Sequence, residues 1–231
     1  MSWFTRFLTS SLGQKFIMSL TGIFMMLFLT IHLLGNLQLL KDDGGEAFNT
    51  YAYFMTHNPV IKIISYTLYL SILLHAVQGI LLWRQNRASR GNNRYAVQHV
   101  RSSEVASRNM AWLGIVIFVF IVLHMYQFWF AMHWGNLVYM EYEGYPHPVK
   151  DLYVLVGDTF KSLGFVLFYV ICMVVIAYHL WHGFWSSFQT LGINHPKYNL
   201  LIHFIGAVYA IVIPALFALI PIGMYVKSLM V

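Results

Sequence analysis

Five stretches of this chain run for about 25–28 residues with little charge, long enough for a helix to cross the hydrocarbon of a bilayer. They extend from about Lys15 to Leu40, Pro59 to Trp83, Arg108 to Met132, Thr159 to Ser186 and Leu200 to Met224. Hydrocarbon holds no water to satisfy a peptide group, so each stretch must be a helix that bonds within itself. Hydrophobic residues make up 59% of the 231 and charged ones 10%, more apolar surface than a soluble domain can hide. The expectation is an all-α integral membrane fold, one membrane domain over residues 1–231 with five transmembrane helices. The first 14 residues, with Arg6 as their one charge, read as an amphipathic entry segment. The apolar run after them is too long for the core of a cleavable signal peptide. Pro214 and Pro221 fall in the fifth stretch, where neighbouring helices can satisfy the carbonyls they free. Cys172 is the one cysteine, so neither a disulfide framework nor a zinc site is available.

The charges between the stretches set an orientation. One alternate set of loops and ends holds Arg6, Lys15, Arg84, Arg87, Arg90, Arg94, Arg101, Arg108 and Lys197, nine bases against the single acid Glu104. The opposite set holds five bases, Lys41, Lys62, Lys150, Lys161 and Lys227, against the other seven of the chain's eight acids. The positive-inside rule then predicts a cytoplasmic N-terminus and an external C-terminus. The net charge of +6 is a topology signal and not a nucleic-acid footprint, because the basic residues cluster in one loop between spans. All eight acids lie in loops or at helix ends. A proton pump or cation transporter needs an ionisable group in mid-membrane, and no carboxylate is there.

Histidines are there. His32, His75, His124 and His179 each lie two-thirds to three-quarters of the way along one of the first four stretches. An ionisable side chain at that depth is costly and points to function. With the predicted orientation His32 and His124 fall in the outer half and His75 and His179 in the inner half. The two levels differ by roughly 10–15 Å at the helical rise per residue. A lone intramembrane histidine often serves helix packing through a hydrogen bond. Four at two matched depths form instead two axial ligand pairs, the metal-ligating set for two haem b groups held by the first four helices. Bis-histidine ligation leaves no open iron position, so such haems carry electrons and do not activate oxygen. His75 with Gly79 and His179 with Gly183 share the form H-x-x-x-G, and Gly35 follows His32 by one turn. A glycine there removes a side chain and lets a flat macrocycle approach the backbone. His182, one turn after His179, is the alternative ligand or a propionate contact. Lys15, Ser19 and Thr21, with Arg84 and Arg108, are candidate propionate partners at the inner surface.

These features together resemble the single-chain, five-helix, dihaem cytochrome b anchor of succinate dehydrogenase and fumarate reductase. The resemblance covers nearly the whole chain. It is carried by the four histidines, the two H-x-x-x-G motifs, the opening Lys15-Phe-Ile-Met-Ser-Leu-Thr-Gly22, and YHLWHGFWSSFQTLG over residues 178–192. It implies a subunit of respiratory complex II in a bacterial inner (cytoplasmic) membrane, a step of the tricarboxylic acid cycle. A flavoprotein and an iron–sulfur protein would bind its cytoplasmic face, and dicarboxylate chemistry would reside in the flavoprotein. Electrons would pass through the inner and outer haems to a membrane quinone, menaquinone by the resemblance. Glu46, just past the first stretch, is the expected catalytic proton partner near the outer haem, with Asn36 and Gln38 as polar neighbours.

Two other readings share parts of the pattern. A dihaem anchor of a membrane hydrogenase or formate dehydrogenase would use the same histidines but serve a partner on the outer face. A haem-free transporter would keep the five helices and show no haem spectrum. The charge asymmetry makes a direct prediction: a reporter fused after Val231 should read external, and a cytoplasmic signal would reverse the topology.

Overall fold

A computed structural model of the chain describes residues 2–90 and 105–230. It carries nine α-helices: α1 (Trp3–Thr9), α2 (Ser11–Asn36), α3 (Glu46–His57), α4 (Pro59–Arg90), α5 (Val105–His124), α6 (Ala131–Trp134), α7 (Leu152–Phe160), α8 (Leu163–Thr190) and α9 (Pro196–Met230) among the described residues. A 3₁₀ turn, Leu37–Leu40, extends α2, and a π-helical turn, Met125–Phe130, joins α5 to α6. Five segments are long and apolar enough to cross a membrane: Ser11–Leu40, Pro59–Ser89, Asn109–Trp134, Leu163–Thr190 and Pro196–Met230. Their exposed faces carry large apolar side chains such as Leu27, Ile31, Leu34, Leu167, Ile171 and Val174. Water would not tolerate such continuous apolar surface, whereas lipid does. The chain is a multi-pass membrane protein.

Local chemistry explains where the helices begin. Asn58 ends α3 and starts α4, its Oδ1 accepting from the amides of Val60 and Ile61 at 2.9 and 3.3 Å, with Pro59 at the first helical position. The sequence pattern predicts a start for α9 near Leu200, but the helix begins at Pro196. His195 supplies the cap, accepting from the Lys197 amide through Nδ1 at 3.2 Å. The fourth span was expected from Thr159. That turn instead closes α7, and Ser162 separates it from α8. Pro214 and Pro221 are buried inside α9, where its Tyr209 hydroxyl donates to the Met26 carbonyl of α2 at 2.5 Å.

The stretches between spans two and three and between other spans differ in what is described. Most of the arginine-rich loop, residues 91–104, and the side chains of Arg90 and Arg108 lie outside the described residues. The two segments expected as plain loops, 41–58 and 133–158, are ordered instead. Gly44 and Gly45 take positive φ angles of 65° and 93° and turn the chain into α3. A Cβ on Gly45 would collide with Tyr153. Asp43 accepts from the amides of Gly45 and Ala47 at 3.0 and 3.1 Å, so its exposed carboxylate holds the turn into α3. Two short strands, β1 (Tyr139–Met140) and β2 (Val149–Lys150), pair antiparallel with Tyr139 opposite Lys150. Asn49, fully buried on α3, holds these pieces together. Its Nδ2 donates to Tyr142 and Asp151 at 2.9 and 3.0 Å, and its Oδ1 accepts from the amides of Leu152 and Tyr153 at 3.0 and 2.9 Å. Asp151 also caps α7 through the Val154 amide.

The chain divides into two compact units, and the boundary falls inside all five long helices. The first unit comprises Met1–Phe28, Thr67–Val116 and Val175–Ile211. The second comprises Leu29–Tyr66, Ile117–Val174 and Val212–Val231, and includes α3, the hairpin and α7. Because Asn49 completes four hydrogen bonds in a dry site, Asn49→Leu should destabilise the second unit by roughly 2–4 kcal/mol. Thermal unfolding in detergent measures this, and an unchanged transition would remove Asn49 from its role as hub.

Candidate functional site

Each unit brings together one pair of the four membrane histidines, and the pairs are those that depth predicts. In the second unit the rings of His32 and His124 face each other, with centroids 5.9 Å apart and planes at 90°. In the first unit His75 and His179 stand 6.2 Å apart at 62°. His179, not His182, is the α8 ring that meets His75. His182 lies half-buried one turn on.

The surroundings of the two pairs differ. His75 Nδ1 lies 3.1 Å from the Thr21 hydroxyl. That hydroxyl has one hydrogen, and it points back to the Ile17 and Met18 carbonyls at 2.8 and 3.1 Å. With that hydrogen on a carbonyl, the oxygen is available to accept from a His75 Nδ1–H, the tautomer that would present Nε2 as an acceptor. Thr21, expected only as a propionate contact, is a positioning residue for the ring. Close packing at small residues supports both rings of this pair: a Cβ on Gly22 would sit 3.4 Å from His75 Cε1, and one on Gly114 would sit 4.0 Å from His179 Cε1.

His32 and His124 sit among aromatic rings. Phe217 stands 5.7 Å from His32, and Phe120, Phe128 and Tyr169 stand 5.7, 5.2 and 6.1 Å from His124. Asn36 donates to the His32 carbonyl at 2.7 Å, so its amide also lies against the His32 ring. His124 is the last α-helical residue before the π turn. Such bulges concentrate at functional sites, because the extra residue re-aims the side chains that follow. Here it directs Gln127 toward α8, where the Tyr169 hydroxyl donates to Gln127 Oε1 at 2.6 Å. Gln127 and Tyr169 were not singled out by sequence reasoning. The available signal was a glutamine in an apolar run three residues after a ligand candidate.

The Nδ1 atoms of His124 and His179 are buried with no hydrogen-bond partner. An unpaired polar atom in a dry site costs about 1–3 kcal/mol, which packing alone does not repay. Two imidazoles sharing one metal at about 2 Å each have ring centroids about 6 Å apart, as both pairs do. Among the described residues no group of three or more His, Cys, Asp or Glu converges. A metal at either pair would thus take two protein ligands, too few for a zinc site and suited to an ion whose other positions are filled by a macrocycle.

The remaining expected site residues separate from the pairs to differing degrees. A Cβ on Gly183 would have nothing within 4 Å, so this glycine leaves open space one turn from His179. The space over Gly79 is taken by Met18 Cε, 3.5 Å from the Cβ position. Gly35 makes room for the Tyr51 ring of α3 and not for a macrocycle, a correction that comes from the unforeseen helix. Ser19 is buried and spends its hydrogen on the Lys15 carbonyl at 3.0 Å, while the Lys15 side chain is exposed. Glu46 is exposed in the first turn of α3. His203 stacks on Trp185 at 3.7 Å and His57 on Tyr53 at 4.0 Å, both remote in role from the pairs. No protein-family profile, curated protein or solved structure matches this chain.

Proposed function

We propose that the chain is the dihaem cytochrome b anchor of a succinate:quinone oxidoreductase, set in the cytoplasmic membrane with its N-terminus inside. The observation that carries this reading is the occurrence of two separate histidine pairs, each on facing membrane helices and each at the spacing of a shared iron. Haem b, when bound, would supply a one-electron couple. His75 and His179 would hold one such group and His32 and His124 the other. The Thr21 hydroxyl can accept from the His75 tautomer that offers Nε2, and Gly183 leaves room beside His179. The aromatic rings around His124 exclude water and keep the local dielectric low.

The nine-to-five asymmetry of basic residues favours an inner partner, a flavoprotein with its iron–sulfur protein, over the outer partner of a hydrogenase-type anchor. The arginines of the inner loop would offer charge-assisted contacts to that partner or to lipid phosphate. Reduction of a quinone to its quinol takes two electrons and two protons. The electrons arrive from succinate through the partner subunits, and the protons come from the aqueous phase beyond α3, where exposed Glu46 is the proton-partner candidate.

Four measurements test the proposal. A pyridine haemochrome assay of the purified chain should give two haems b, and none would overturn the function. His32→Ala and His124→Ala should remove one spectral component, and His75→Ala and His179→Ala the other, while His182→Ala keeps both. Thr21→Val should weaken retention of the His75 haem by roughly 10–100-fold, as loss of a group that orients a metal ligand typically does, and Thr21→Ser should restore it. For Glu46, Glu46→Gln should leave both haems reducible by succinate and slow quinone turnover by roughly 10²–10⁴-fold. Unchanged turnover would return Glu46 to a capping-end surface acid.

A further inference from the structure

In the second unit the apolar surface of span three continues past the end of the span. Tyr126, Phe130 and Trp134 form an exposed ladder along its last turns, with ring centroids 5.8 and 4.8 Å apart. Gly135 then ends α6 in extended backbone, its amide donating to the Ala131 carbonyl at 2.8 Å. A Cβ on Gly135 would stand 2.5 Å from that carbonyl oxygen, so the sharp exit from the helix depends on a missing side chain. The arm that follows, Trp134 to Met140, carries no charge. Within it Val138 is 65% and Tyr139 56% exposed. Charge returns directly afterwards, at exposed Glu141 and Glu143.

Strand pairing sets the direction in which this arm faces. Residues opposite each other in an antiparallel pair project to one side of the sheet, and successive residues project to opposite sides. Met140 lies opposite Val149, which is buried. Tyr139 lies opposite Lys150, whose ammonium donates to the Met132 carbonyl at the end of span three. The Tyr139 face of the hairpin therefore turns back toward the span end, where the bilayer surface is. We propose that the arm Trp134–Met140 lies in the head-group region of the leaflet at that end of span three, with Val138 and Tyr139 against phospholipid and Glu141 and Glu143 in water. A phospholipid surface fits each part of it. The arm is continuous with the lipid-facing ladder, a tyrosine ring is amphipathic in the way the head-group region favours, and a lysine ammonium has further hydrogens to offer a lipid phosphate. The acids mark where the arm ends, because the same phosphates repel them. β2 runs directly into Asp151 and so into the Asn49 hub, which means that an arm held by lipid also ties α3 and α7 to the bilayer surface. The inference is independent of what the histidine pairs hold.

The test places the full, unsubstituted chain in phospholipid nanodiscs that include a phospholipid with a photoreactive diazirine near its head group. Peptide mapping should find label on 134–140 and none on 141–147. Depth is then read from single cysteines, Val138→Cys, Tyr139→Cys and Glu143→Cys, each carrying an environment-sensitive fluorophore; Cys172 is buried and leaves the introduced thiol as the one that reacts. Fluorophores at 138 and 139 should be quenched by a nitroxide on the lipid head group and shielded from aqueous iodide, and the one at 143 should show the reverse. They should sit within the boundary layer of about 5–10 Å that interfacial segments occupy. Adding Tyr139→Asp should return the fluorophore at 138 to iodide. Equal iodide quenching at 138, 139 and 143, or photolabel spread evenly over 134–147, overturns the proposal. Cross-linking of Tyr139→Cys between two copies of the chain overturns it too, and makes the arm a contact between subunits. The photolabelling needs no substitution, so it decides the matter even where a cysteine variant fails to fold.

Discussion

Hydrocarbon leaves a backbone no choice but to pair with itself, and everything else in this protein follows from how that constraint is met. Helices satisfy it residue by residue, so five long ones form and their apolar side chains face lipid. The same constraint prices every polar side chain placed among them. Some of the polar side chains there find partners and others, Gln78 Oε1 among them, do not. Thr21 meets His75, Tyr169 meets Gln127, and the Nδ1 atoms of His124 and His179 are left over. The leftovers mark where the protein offers groups to something other than itself.

The two histidine pairs are alike in spacing and unlike in support. The pair in the first unit has a hydroxyl against its His75 ring and glycines that admit close packing. The pair in the second unit is set by a cage of rings and by a break in helical winding directly after His124. Rings exclude water and a hydroxyl offers a hydrogen-bond partner, so the pairs are expected to present different environments to bound groups. The π turn follows His124 directly, so the placement of that ring and the aim of Gln127 toward Tyr169 share one local distortion.

Outside the spans, order comes from polar chemistry and not from apolar pattern. Asn49 is buried with four bonds, Asp43 and Asp151 cap helices, and Gly44 and Gly45 make the turn that brings α3 beneath α7. Tyr51 of the same helix fills the space over Gly35, one turn beyond His32. The segment that carries Glu46 is therefore rigidly tied to the second unit, and it is built from residues that individually look like loop.

The sequence alone determined the spans, because roughly 20 apolar residues admit one solution in lipid, and it determined which histidines pair, because depth along alternating helices sorts them. It also marked Gly183 as open space beside His179. It missed α3, α7 and the hairpin, whose stability lies in contacts between Asn49 and residues about a hundred positions away, beyond the reach of any local period. It read Gly35 as room for a macrocycle, since a glycine shows only that space exists and the tertiary structure decides that Tyr51 fills it. Thr21 and Gln127 gained their roles the same way. A hydroxyl or an amide in an apolar helix declares that it needs a partner, and only the packing of neighbouring helices decides that Thr21 finds His75 and that Gln127 finds Tyr169.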